Sequence, residues 1–274
     1  MDLSRYIDYW DQTIAGILSN PTASSFPSMF GVNVQTDFIP EPYMGDPNNC
    51  SFVIVNLNPG SGQCHSCIKQ KDVSEMLVNK VKTEGYSTAI RDFPYLMEGK
   101  AVGLTNWDNN PGRKWWKSKE RWIKHILNVF IPSYDYRKPI PEGYFPFAME
   151  LFSWHTERWP SFLNKKMEKN GVYGQIINDN VIEPLYEAIK KSKFHVAFCV
   201  GKPIGTIISS FSTFTRVNPS PITPSIKNGK RSYDVYHDGN GCYIINTWAQ
   251  GGNTYPSDMY EKEEEEIVSR YIRK

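Results

Sequence analysis

Chemistry could gather at a handful of places along the chain, and the first is Asn56-Leu57-Asn58-Pro59-Gly60. An asparagine can hold a water by its side-chain amide and aim it, although it cannot take a proton as an aspartate does. Proline fixes the backbone, and glycine lets it pass close to a ligand. The same letters also describe an ordinary turn, so the motif gains weight only in company.

A second place is the stretch 113–124, where six basic residues stand against one acid, Glu120. At about 100° per residue, Lys114, Lys117, Arg121 and Lys124 share one helical arc. Trp116, Ile123, Leu127 and Phe130 share the opposite arc, flanked by Trp115, Trp122 and Ile126. The basic arc could meet phosphates, with Lys227, Lys230 and Arg231 extending it, and a solvated face of an amphipathic helix has the same pattern. Cys64-His65-Ser66-Cys67 offers half of a metal site. Cys50 is the one nearby third thiol, whereas Cys199 and Cys242 fall in apparent core strands, so reduced thiols and no metal are expected. His155 follows a strand, and Phe93, Tyr95, Trp154 and Trp159 could stack a base or simply pack.

The elements that must position these residues follow from periodicity. Residues 51–57 form a nearly continuous β-branched run, the pattern of a strand buried on both faces of a parallel sheet, and it ends abruptly at the Asn-Pro-Gly loop. Tyr6, Trp10, Ile14 and Ile17 predict an opening helix capped by Ser4. Further helices are expected at 72–85, where Asp72 and Glu75 have capping-box spacing, and at 113–130, 178–191, 206–211 and 257–273. Further strands are expected at 147–154, 195–200, 231–236 and 242–248, the last two joined through the hairpin signal Asp238-Gly239-Asn240-Gly241. This alternation predicts an α/β fold with a mostly parallel central sheet and ligands at the carboxyl ends of its strands. With no repeat or linker in view, the expectation is a single domain over 1–274, with an insertion at about 61–91 and a β-hairpin at about 231–248.

Four stretches in order carry a family resemblance. Asn58-Pro59-Gly60 is similar to the end of the Gly-Ile-Asn-Pro-Gly motif of the mismatch-specific uracil/thymine branch of the uracil-DNA glycosylase superfamily, with Asn56 at the place of the first Gly. Asp92-Phe93-Pro94-Tyr95 resembles that branch's Phe-Pro-Phe, and Asn110-Pro111-Gly112-Arg113-Lys114-Trp115-Trp116-Lys117 resembles its Pro-x-Asn-Arg-Phe-Trp-Lys. Val200-Gly201-Lys202-Pro203 is similar to its Trp-Gly-Lys. The resemblance implies a three-layer α/β/α, uracil-DNA glycosylase-like fold that excises a base from a flipped nucleotide without a cofactor. It places Asn58 as the catalytic orienter of water and Asn56, Pro59, Gly60, Phe93, Tyr95, Glu150 and Ser153 around the base. DNA is the implied partner, held by Lys114, Lys117, Arg121 and Lys124. Relatives end in a DNA-gripping loop such as His-Pro-Ser-Pro. Here Asn218-Pro219-Ser220-Pro221 has the letters, whereas Gln250, Gly251, Gly252 and Asn253 have the position in chain order, and neither loop contains histidine. Those departures, with Asn56 and the long insertion, leave a non-catalytic nucleobase, nucleotide or nucleic-acid binding protein as the rival reading.

Apolar residues at 40% and charged residues at 22% supply enough to bury a core, which excludes a disordered chain. Residues 1–20 lack the layout of a signal peptide, and no run nears the roughly 18 apolar residues of a membrane helix, so the expected location is cytoplasmic. The acidic run Glu263 to Glu266 is expected in the first turns of the last helix, where the dipole favours it.

Overall fold

The computed structural model describes residues 1–26, 32–57, 59, 67–68, 73–91, 111–157, 160–168, 170–210, 212–218, 222, 232–248 and 261–272, with backbone alone at 23, 73–77, 111–118, 179 and 261. The opening helix α1 (Leu3–Ser19) buries Leu3, Tyr6, Trp10, Ile14 and Ile17 along one stripe. Its cap is Asp2 and not the expected Ser4: the helix is already under way at Leu3, and Asp2 Oδ1 accepts from Arg5 N at 2.8 Å. Then come β1 (Tyr43–Met44), β2 (Val53–Asn56), α2 (Val73–Glu84), α3 (Tyr86–Arg91) and α4 (Pro111–Phe130). After β3 (Phe147–Glu150) follow α5 (Leu163–Lys166), α6 (Val172–Ile177), α7 (Glu183–Lys191), β4 (Val196–Val200) and α8 (Lys202–Ile208). The chain continues through β5 (Thr215–Arg216), β6 (Tyr233–His237), β7 (Tyr243–Thr247) and α9 (Glu261–Tyr271).

Among the described residues, seven strands make one sheet in the order β1-β3-β2-β4-β7-β6-β5. The centre, β3-β2-β4-β7, is parallel, while β1, β6 and β5 pair antiparallel at the margins. β4 is buried at every residue, and β2 at all but its last, as expected of strands covered on both faces. Successive side chains alternate between the faces. On one face, Trp122 of α4 meets the rings of Phe52 and Phe198 edge-on at 5.5 and 5.2 Å. The acidic helix α9 closes over that region: Tyr233 donates its hydroxyl to Glu263 Oε2 at 2.6 Å, and Trp122 Nε1 donates to Glu264. On the opposite face, Tyr43 packs on Tyr86 of α3 and Tyr6 of α1, and the Tyr236 hydroxyl donates to Gly205 O of α8 at 3.3 Å.

Several expected bounds move, for physical reasons. The strand expected over 147–154 leaves its ladder at Glu150. Leu151 N and Phe152 N still donate to Asn56 O and Leu57 O, but the chain then serves the 35–41 segment, with Glu41 N donating to Ser153 O and Gln35 N to His155 O. The helix expected at 178–191 instead begins at Val172 and passes through a π-helical turn, Asn178–Ile182, before α7. Pro184 has no N–H for the carbonyl four residues back, and a wide turn absorbs that gap. The helix expected at 206–211 is α8, starting at Lys202 with Pro203 in its first turn, where a missing N–H costs nothing. The acidic run lies in the first turns of α9, as the dipole argument expected.

Candidate functional site

Parallel pairing in register sets Asn56 opposite Glu150, the last residues of β2 and β3, so both side chains leave the sheet on one face at its carboxyl edge. Asn56 Nδ2 donates to Glu150 Oε1 at 2.9 Å. The other carboxyl oxygen of Glu150, Oε2, is enclosed and has no hydrogen-bond partner among the described residues. Burial holds this carboxyl well above the usual carboxylate range; the Asn56 bond opposes the shift and the charge of Glu41 adds to it.

Glu41 arrives from the segment before β1, between Pro40 and Pro42, and is buried. Glu41 Oε1 lies 3.4 Å from Nε2 of the buried His155. Tyr6 donates its hydroxyl to Pro42 O at 3.2 Å, and burial pushes its phenol up. Two acids, an amide, an imidazole and a phenol thus meet at the carboxyl edge of a parallel sheet, where open α/β folds take ligands. A carboxyl kept neutral beside a carboxamide can both donate and accept, and so match the edge of a planar heterocycle.

Of the residues singled out from sequence, Asn56, Glu150, Ser153 and His155 come together here. Ser153 is buried, and its carbonyl accepts from Glu41 N at 2.8 Å, so it braces the cluster. Pro59 is half-buried just beyond β2. Asn58, Gly60, Phe93, Tyr95, Gln250, Gly251, Gly252 and Asn253 lie outside the described residues. β7 ends at Thr247 on the same edge, and Trp248 beside it donates Nε1 to Asp234 Oδ2 at 2.6 Å. In the competing loop, Asn218 is buried and accepts Val235 N at 3.1 Å, which ties it to the flank of β6.

On α4, Arg121 is exposed and Lys124 is half-buried, its Nζ 2.5 Å from Glu120 Oε1. Lys119, counted from sequence among the basic residues, is fully buried. The side chains of Lys114 and Lys117 lie outside the description. His125 Nε2 stands 3.8 Å from Glu265, so acids of α9 border this helix. Cys50, Cys67, Cys199 and Cys242 are free thiols, and burial pushes Cys50 up to about 12. Among the described residues no group of histidine, cysteine and acidic side chains could hold a metal ion, and no helix is long and apolar enough to cross a membrane.

Sequence reasoning missed Glu41. Its signal was weak, an acid between two prolines flanked by the apolar Ile39 and Tyr43. No family model matches the chain, and neither the curated proteins nor the solved structures yield a significant match.

Proposed function

We propose that the chain hydrolyses the N-glycosidic bond of a nucleotide turned out of DNA, on a uracil-DNA glycosylase-like fold. The supporting observation is the hydrogen bond from Asn56 to an enclosed Glu150 carboxyl where two parallel strands end. In this reading Glu150 and Asn56 face the base edge, backbone donors from Asn56 to Gly60 hold it, and Phe93 or Tyr95 stacks on it. Asn58 orients a water toward the sugar C1′ as the bond loosens, and Gln250, Gly251, Gly252 and Asn253 steady the negative charge on the departing base. Lys114, Lys117, Arg121 and Lys124 hold the DNA backbone.

The test is single-turnover base release with enzyme in excess over uracil-, hypoxanthine- and thymine-mismatch duplexes, read by strand cleavage at the abasic site. The wild type should release base slowly, and Asn58→Ala about a hundredfold more slowly, the worth of one transition-state contact at about 3 kcal/mol. Release that Asn58→Ala leaves unchanged removes Asn58 from the mechanism. A second reading, a protein that holds a nucleobase without cleaving it, is favoured by Asn56 itself. Its side chain stands where the resembling motif has glycine and is tied across to Glu150. No release from any duplex by the wild type selects that reading.

A further inference from the structure

An asparagine that precedes glycine carries a reaction of its own. The glycine backbone nitrogen can attack the asparagine side-chain carbonyl carbon, because glycine has no Cβ to crowd the approach. The chain has three such pairs, Asn170-Gly171, Asn228-Gly229 and Asn240-Gly241, of which Asn228-Gly229 lies outside the described residues. Sequence ranks the other two as equals, and both asparagines are exposed. Hydrogen bonding separates them. Gly171 N donates to Glu168 O at 2.7 Å as α6 opens, so that nitrogen is committed. At the tip of the β6–β7 hairpin Gly241 is exposed, and its N–H donates to nothing among the described residues. A Cβ built on Gly241 would meet no atom within 4 Å, so a ring has room to close there.

Asp238-Gly239 stands in the same turn and could close the same ring, yet both of its partners are occupied. Gly239 N donates to His237 Nδ1 at 3.2 Å. The Asp238 carboxylate accepts from Asn240 N at 2.8 Å, from Cys242 N at 2.9 Å and from the Tyr186 hydroxyl at 2.8 Å. One hairpin thus holds a guarded pair beside an open one.

We propose that Asn240 is a site of spontaneous modification, deamidating through a cyclic imide that Gly241 N closes, with water as the co-reactant. Gly241 N loses its proton to solvent and bonds to Asn240 Cγ, while the side-chain nitrogen takes up a proton and leaves as ammonia. Water then opens the ring at either carbonyl. Opening at Cγ leaves aspartate, and opening at the main-chain carbonyl carbon leaves isoaspartate, whose backbone runs on through Cβ and Cγ. Nothing is oxidised or reduced. Each event adds a negative charge beside Asp238 in a chain whose net charge is +2. Isoaspartate also lengthens the turn that sets β6 against β7, where Asp234 stands opposite Asn246. The assignment is independent of any base-cleaving activity.

The full chain is aged at mildly alkaline pH in heavy-oxygen water, which labels carboxylates formed before digestion, and each site is read by peptide mapping. In the folded protein Asn240 should convert about tenfold faster than Asn170, the worth of the one hydrogen bond on Gly171 N. In urea that unfolds the chain both nitrogens are free, and the two rates should converge. Asn240→Gln, whose longer side chain would need a larger ring, should lose the hairpin modification and leave the slow rate at Asn170 unchanged. Isoaspartate, read by enzymatic methyl transfer to its free carboxyl, should build up at position 240 and not at 238. No conversion at Asn240 in the folded protein, conversion at Asn170 that keeps pace with it, a ratio that urea leaves unmoved, or isoaspartate at 238 matching that at 240 each overturns the assignment.

Discussion

At the scale of single residues, Glu150 carries a pH dependence that follows from its surroundings. Its folded carboxyl lies well above the ordinary 4.5 because burial disfavours the charged form, so folding holds a proton there that the unfolded chain releases more readily. Stability from this group is full below the unfolded value and is lost as pH rises through the folded one. Glu150→Gln removes the titration and keeps an oxygen for Asn56. Thermal unfolding followed by circular dichroism should give similar midpoints for wild type and Glu150→Gln near pH 4. By pH 8 the variant should gain about 1–3 kcal/mol over wild type, the scale of relieving one poorly satisfied buried polar group, or several degrees. A difference that stays constant over this range would mean that folding does not raise the Glu150 carboxyl.

At the scale of elements, the contact of α8 with β7 depends on one glycine. A Cβ on Gly205 would stand 2.6 Å from Asn246 Nδ2, and Asn246 is fully buried with neither amide atom hydrogen-bonded among the described residues. In an open helix Gly→Ala stabilises by roughly 0.5–1 kcal/mol, but here we expect Gly205→Ala to destabilise by about 1–3 kcal/mol through overpacking. Asn246→Ser makes room, so the double variant should recover most of that loss in a urea double-mutant cycle. Gly205→Ala at or above wild-type stability would show that the helix does not approach so closely.

This contact also marks what the sequence could reveal. The runs around Ile54 and Phe198 were legible because strands buried on both faces need no polar residue, and the Asp238 to Gly241 turn was legible because two of its glycines, Gly239 and Gly241, take positive φ. β1 and β5 were not, since two residues show no period. Asn56 and Glu150 could each be placed at a strand end, but the bond between them depends on register, which is a property of a strand pair and not of either sequence. Much the same holds for Lys119: it stands on a basic stretch of α4, yet it is fully buried, and a basic stretch read alone does not show which of its members the fold encloses.

At the scale of the whole molecule, net charge is a small +2, so any attraction for DNA must come from a local face. On α4 that face offers the exposed Arg121, while Lys124 already answers Glu120. If DNA docks there, reversing Lys117 and Arg121 should weaken binding alike for all sequences and flatten the slope of log K against log salt by about one unit per lost phosphate contact. Binding measured by fluorescence anisotropy that ignores both salt and the reversal would remove this face from the interface. The sheet as a whole has another property, set by its margins. β1 and β5, two residues each, occupy the outer positions, and the fully buried β4 sits in the middle. A long bare strand edge is a template on which a neighbouring chain can add its own strand, and a two-residue edge offers a rung or two at most. Among the described residues the margins of this sheet therefore give fibril growth little to start from, and openings that peel β1 from β3 or β5 from β6 would bare a longer apolar edge there.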